Sequence, residues 1–271
     1  MKILLSGLLV LCFCSLGYAA SPLVKLEGDF VQGGLVFGKV KPGARLRLDK
    51  QPVAIAPSGD FTLGFDRDAP EQIVLSMAYQ GEQWSKSLSI ARRDYRLQHI
   101  EGIAKSIMQP SAEAIQRIRA EAGQVRKARA KLYSRMDFLA DFQWPLKGPI
   151  TGVFGSQRVY NGVPKRPHYG VDVAAAIGTP LTTPAPGVVS LAHADMFYSG
   201  GTIIIDHGYG LSSTLMHLSK LLVKVGDEVV PGDIIAEVGA TGRATGPHLD
   251  WRMNWHGSRI DPQLLVPAMV D

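Results

Sequence analysis

Cysteine is almost absent from this chain of 271 residues, which contains only Cys12 and Cys14. Both fall within MKILLSGLLVLCFCSLGYAA, where Lys2 precedes a mostly apolar run from Ile3 to Leu16 and small residues follow. This is the layout of a secretory signal peptide over residues 1–20, cleaved after Ala19 or Ala20. The run is shorter than the roughly 20 apolar residues that a membrane span needs. Bulky residues ahead of each cysteine argue against lipoprotein processing. Past residue 20 no cysteine remains, which excludes disulfides, a thiolate nucleophile and a Cys-rich zinc cluster. Also missing are an H-E-x-x-H helix, a G-x-S-x-G elbow, a phosphate loop and a G-x-G-x-x-G turn. The net charge of +5, or +4 without Lys2, is a modest excess that calls for no nucleic acid partner. No transmembrane segment is expected once the signal is removed, so the expected location is periplasmic or secreted.

Histidine is missing from residues 21–98. Short alternating runs fill that stretch instead, among them ARLRLD, FTLGF and QIVLSMAY, separated by turns such as Lys41-Pro42-Gly43 and Gln80-Gly81-Glu82. They predict a small Ig-like β-sandwich with no catalytic constellation. Residues 99–140 read as a linker carrying an amphipathic helix, with Ile115, Ile118, Ala122, Val125 and Leu132 near the helical period and a weak point at Gly123. Its many arginines and lysines suit either acidic polymer or plain solvent.

From 141 to 271 the sequence is again glycine-rich and β-rich. IGTPLTTPAPGVVSLA and VGDEVVPGDIIAEVGA echo one another, which predicts two similar hairpin units packed into one sandwich. The second piece also suggests a biotinyl-type carrier hairpin, but the turn that would display a modified lysine is absent. Six of the seven histidines lie after residue 160. In RPHYGVDV an extended chain puts His168 and Asp172 on one face; His217 closes SSTLMH; in GPHLDWRMNW, His248, Asp250, Arg252 and Asn254 share the polar face of a strand. Imidazole and carboxylate are the zinc ligands left to a protein without cysteine, and two His/Asp pairs on neighbouring strands can supply the three that a catalytic site uses. Of the others, His99 sits in the linker, His193 follows a strand, His207 belongs to a turn shaped by Asp206, and His256 in NWHG is a candidate substitute ligand.

RPHYGVDVAAAIGTPLTTPAPGVVS, GTIIIDHGYGLSSTLMHLS and VGDEVVPGDIIAEVGATGRATGPHLDW together resemble the lysostaphin-type or LytM-domain zinc metallopeptidases of bacterial cell-wall metabolism over about residues 144–265. The resemblance implies a mostly β, LytM-type sandwich and one Zn²⁺ per chain. It implies His168 and Asp172 as metal ligands, His217 as a non-ligand histidine that helps bind an oxyanion, and His248 as general base. The family's third ligand is the second histidine of H-x-H, and that position here holds Asp250. Two carboxylates and one imidazole cancel the charge of the ion, which predicts a slower or more alkaline enzyme or a harder metal such as Mn²⁺. The implied function is a zinc endopeptidase acting on peptidoglycan cross-links. The alternative is a LytM-like domain with an impaired metal site that activates a partner cell-wall amidase.

Overall fold

The computed structural model describes residues 24–102 and 111–269, so the expected signal peptide lies outside the described residues. Seven strands come first: β1 (Val24–Gly28), β2 (Leu35–Val40), β3 (Arg45–Leu48), β4 (Gln51–Val53), β5 (Asp60–Gly64), β6 (Gln72–Tyr79) and β7 (Glu82–Ser89). They form a sheet ordered β1-β2-β5 and another ordered β4-β3-β6-β7. Strict alternation drives this: in β3 the two leucines are buried and the two arginines exposed. Gln80 and Gly81, both at positive φ, make the two-residue turn between β6 and β7.

The remaining strands are β8 (Leu97–Ile100), β9 (Ile150–Gly152), β10 (Gln157–Tyr160), β11 (Val163–Pro164), β12 (Val171–Ala174), β13 (Pro180–Thr182) and β14 (Gly187–Met196). Then follow β15 (Gly200–Gly208), β16 (Leu211–Leu218), β17 (Lys220–Leu221), β18 (Glu228–Val229), β19 (Ile234–Glu237), β20 (His248–Trp255) and β21 (Ser258–Ile260). An eight-stranded sheet runs β18-β14-β15-β16-β20-β12-β9, with β21 added on β20. Its dry face carries Leu215, Trp251 and Val171 in one row and Ile205, Met253 and Ile260 in the next, all buried. A small sheet ordered β13-β19-β17 completes the layer.

The fold is mostly β, as the alternation predicts, but the two echoing pieces do not each close as a hairpin. β13 pairs with β19, and β14 pairs with β18. Each Pro/Gly stretch, Pro184–Gly187 in one piece and Val230–Gly232 in the other, is a corner that carries the chain between the two sheets. Proline has no N–H to give a ladder, so a corner suits it better than a strand interior.

Three other expectations change. The 98/99 boundary falls inside β8, which pairs in parallel with β10, so His99 belongs to a strand. Ser156–Pro167 reads SQRVYNGVPKRP, a stretch of Gly, Pro and cations that by itself suggests a mobile loop, but it holds the β10–β11 hairpin of that same sheet. The linker helix, α1 (Ala112–Ala130), is capped by Ser111 and stops before Leu132, which is exposed. Ile115 and Ala122 face solvent, whereas Glu121 is buried, accepting from the Arg117 guanidinium and the Phe197 N–H. Val125 and Ala128 pack on Leu191, Met196 and Ile204, of which Leu191 and Ile204 share the row of Thr214 and Arg252. The helix therefore covers part of the polar face of the central sheet.

Candidate metal centre

β12 and β20 are antiparallel neighbours with Asp172 directly opposite Asp250, and directly opposed residues share a face. His168 reaches the same point from the loop before β12. Its Nε2 lies 3.0 Å from Asp172 Oδ1 and 3.4 Å from Asp250 Oδ2. The three side chains offer ligand atoms that all lie within 4.8 Å of one another. Tetrahedral zinc with bonds of about 2.0–2.1 Å spaces its ligand atoms by roughly 3.3 Å.

The bonding left unmade at this point is more informative than the spacing. His168 Nε2 and Asp172 Oδ1 are both sealed from solvent and neither makes a hydrogen bond. They are close enough for one but misaligned for it, so two acceptor atoms face a common centre. Buried polar atoms are ordinarily paired, and a pair left unmade calls for an explanation. A divalent ion at that point would supply it. Burial by itself lowers the His168 pKa, yet the facing Asp172 and Asp250 carboxylates override this and raise it to about 10. A cation is wanted at that position, and without a metal a proton on His168 fills the role. Glycines keep the space clear: a Cβ at Gly152 would strike the Asp172 carboxylate, and one at Gly170 would meet Asp250 Oδ1 and Arg252 Cγ.

Asp250 is not an isolated carboxylate. The Arg252 guanidinium grips it, with Nη2 donating to Oδ2 at 2.6 Å and Nε donating to Oδ1 at 3.0 Å. Burial works against ionisation of Asp250, but the Arg252 charge and then His168 outweigh it, so its pKa is lowered. The three candidate ligands still cancel the charge of a divalent ion, and Arg252 adds one positive charge beside them. With Arg252 counted, a divalent ion and its surroundings carry +1, the same as for a ligand set of two histidines and one aspartate. The signal was available in HLDWRM, where opposite charges two apart on a strand face one way.

His217 and His248 stand beside this centre, their rings 4.8 Å apart. Backbone carbonyls accept from both Nδ1 atoms, Thr241 O from His217 and Gly246 O from His248, each at 2.8 Å. A carbonyl can only accept, so each neutral ring is held with its proton on Nδ1 and a bare Nε2. Burial lowers the pKa of His217 and favours its neutral form. The residue has φ of 65°, a left-handed conformation rare for a side-chain-bearing residue, held by its N–H donating to Ser199 O at 2.8 Å.

The other histidines stay out of the site. His256 lies in the β20–β21 turn with its ring against Trp255, six residues and about 20 Å along the strand from Asp250. His207 is in β15 rather than a turn. His193 accepts locally from the Asp195 N–H.

Residues 166–262 match the model of Peptidase family M23. Peptidoglycan DD-endopeptidase ShyA of Vibrio cholerae is 39% identical over 117 residues, covering 42% of this chain and 27% of its own. DD-carboxypeptidase/endopeptidase Mpg of Neisseria meningitidis is 37% identical over 97 residues, 36% of this chain and 22% of its own. The chain thus spans only 20–35% of the length of the first curated relatives it matches. A solved structure from Pseudomonas aeruginosa, described as a candidate peptidase M23, is 28% identical with a TM-score of 0.69, covering 88% of this chain and 95% of that one.

Proposed function

Because residues 166–262 form a peptidase family M23 domain, we propose that this chain is an exported, zinc-dependent endopeptidase that hydrolyses peptide cross-links of bacterial peptidoglycan. Residues 141–271, joined by β8 through its pairing with β10, are its catalytic domain, the residues from 21 up to β8 a β-rich accessory domain and those between β8 and 141 the linker, after removal of 1–20. His168, Asp172 and Asp250 hold the metal. The reading rests above all on the two unbonded, solvent-sealed atoms, His168 Nε2 and Asp172 Oδ1, that face one point. Among the described residues no helix is long and apolar enough to cross a membrane.

When bound, a metal ion would supply Lewis acidity toward the scissile carbonyl and the attacking water. The chain's own residues do the rest. His217 and His248 both present an Nε2 lone pair, so either accepts the proton that the water gives up. Neither neutral ring can donate from Nε2, so of the two histidines only the one that has just taken that proton can donate to an oxyanion. The separate roles expected for the two residues become successive states of one pair. Arg252 fixes the Asp250 carboxylate through both of its oxygens and stops it from turning away.

The test is metal analysis of the purified mature protein together with muropeptide release from sacculi. About one zinc per chain is expected, with release that a chelator abolishes and zinc restores. No release under any divalent ion overturns the reading; stimulation of a cell-wall amidase by that same inactive protein would establish the activator role instead.

A further inference from the structure

One row along β20 from the metal residues, positive charge accumulates beyond what its partners neutralise. Arg252 has Nε and Nη2 committed to Asp250, which leaves Nη1 uncommitted. Arg259 is the register partner of Asn254 on β20 and so shares the face of Arg252; its guanidinium lies over the Tyr169 ring at 5.4 Å. Arg129, the penultimate residue of α1, points inward, with Nη2 donating to Thr214 Oγ1 at 2.8 Å, and Thr214 stands directly opposite Arg252. The Arg129 Nε is sealed from solvent and meets no acceptor.

Among the described residues, Arg129, Arg166 and Arg259 form no side-chain ion pair. Burial, then the charges of Arg259 and Arg252, push the Arg129 pKa down to about 9. Arg259 is lowered too, by burial, Arg252 and Arg166, against an opposing effect of Asp66. Four guanidiniums therefore face three carboxylates, Asp250, Asp172 and Asp66, and the first two of these also face the metal position. A fold has no reason to hold a half-buried cation among others with an N–H unbonded, unless an anion completes the set.

We propose that Arg129, Arg252 and Arg259 form a subsite for a free carboxylate of the substrate peptide. Planar guanidinium forks match a carboxylate, and a donor left without an acceptor gives it a bond to make. Residues two apart on a strand are separated by about 6.8 Å, so the carboxylate lies roughly two residues of extended peptide from the metal site. α1 thus adds Arg129 to the subsite, which makes the linker helix part of the specificity apparatus. The inference rests on the proposed peptidase reading for the identity of the substrate alone; carboxylate binding is measurable without turnover.

The probes are N-acetyl-D-alanyl-D-alanine and its C-terminal amide, titrated into the zinc-loaded mature protein while arginine Nε–Hε resonances are followed by NMR. The acid is expected to bind at least about tenfold more tightly than the amide, with the Arg129 signal moving most, because a hydrogen bond to a charged group supplies a factor of that size. In Arg129→Gln and Arg259→Gln that ratio falls to about twofold or less, whereas Arg129→Lys keeps part of it. Metal content and circular dichroism report whether each variant is intact. Should a glutamine variant lose its fold, the wild-type ratio must still shrink as ionic strength rises. Equal affinity for acid and amide, a ratio indifferent to salt, or an unchanged ratio in folded glutamine variants overturns the subsite. An acid-selective site in a protein that cuts no peptide leaves the subsite standing and removes the peptidase.

Discussion

The two faces of the central sheet treat histidine in opposite ways. On the dry face His207 is fully buried, with Nδ1 donating to Pro186 O at 2.6 Å and the bare Nε2 of the neutral ring accepting from the Ser213 hydroxyl at 2.7 Å. Both ring nitrogens are met, and burial pushes the pKa down to about 4. On the polar face His168 has an unmet Nε2, two carboxylates in front of it and a pKa raised to about 10. Burial acts in the same direction on both rings. What differs is the company, and that separates a histidine serving the fold from one awaiting a ligand.

Removing Asp250 breaks this contrast most severely. Asp250→Ala deletes a ligand and strands the buried Arg252, so metal is lost and stability falls by about 3–5 kcal/mol, the usual cost of orphaning one partner of a buried pair. Zinc content and denaturant midpoints measure the two effects. Asp250→His is also expected to bind zinc poorly, since its new imidazole sits beside an unpaired guanidinium. The double change Asp250→His with Arg252→Gln should recover the metal. Full zinc binding by Asp250→His alone would show that Arg252 is not coupled to the site.

The next effect in size leaves the ion in place. His217→Ala and His248→Ala should each lower kcat by about 10²–10⁴ while zinc content stays at one per chain, because each breaks the pair of rings that share the proton and the oxyanion and neither removes a proposed ligand. Loss of metal in either variant would move that histidine into the ligand set.

Much of this was legible beforehand, for definable reasons. Period-two alternation in GPHLDWRMNW gave β20, its polar face and the pairing of His248 with Asp250, because side-chain direction along a strand is local. The crossing of β13 with β19 and of β14 with β18 was not, since a turn-strand pattern reads the same whether its strands pair with each other or with a distant copy. Periodicity likewise placed α1 but set its face only in part, with Val125 inward as expected and Ile115 and Ala122 outward. Glu121 occupies an inward position that apolar counting assigns to Ala122, because its partners, Arg117 and the Phe197 N–H, are supplied partly from 76 residues away. Arg129 was one of many basic residues until the fold put it over Thr214.

The smallest expected effect tests the dry face. The folded-state pKa of His207, about 4, lies below its ordinary value of 6.5, so the unfolded chain binds more protons between those values. Its stabilisation is therefore fully present above pH 6.5 and falls by about 1.4 kcal/mol per pH unit as the pH drops through that window. Asp206 acts in the opposite sense. Burial raises its pKa from 3.8 to about 6, so the folded chain binds more protons and stability declines as pH rises through that range. The two slopes nearly cancel in the wild type. His207→Gln removes the first of them, so the stability advantage of the wild type over this variant should grow by about 1.4 kcal/mol per pH unit from pH 4 to pH 6, with zinc content unchanged. Parallel curves from chemical denaturation across that range would mean that the ring is less sealed than its contacts indicate, and the contrast with His168 would lose its reference.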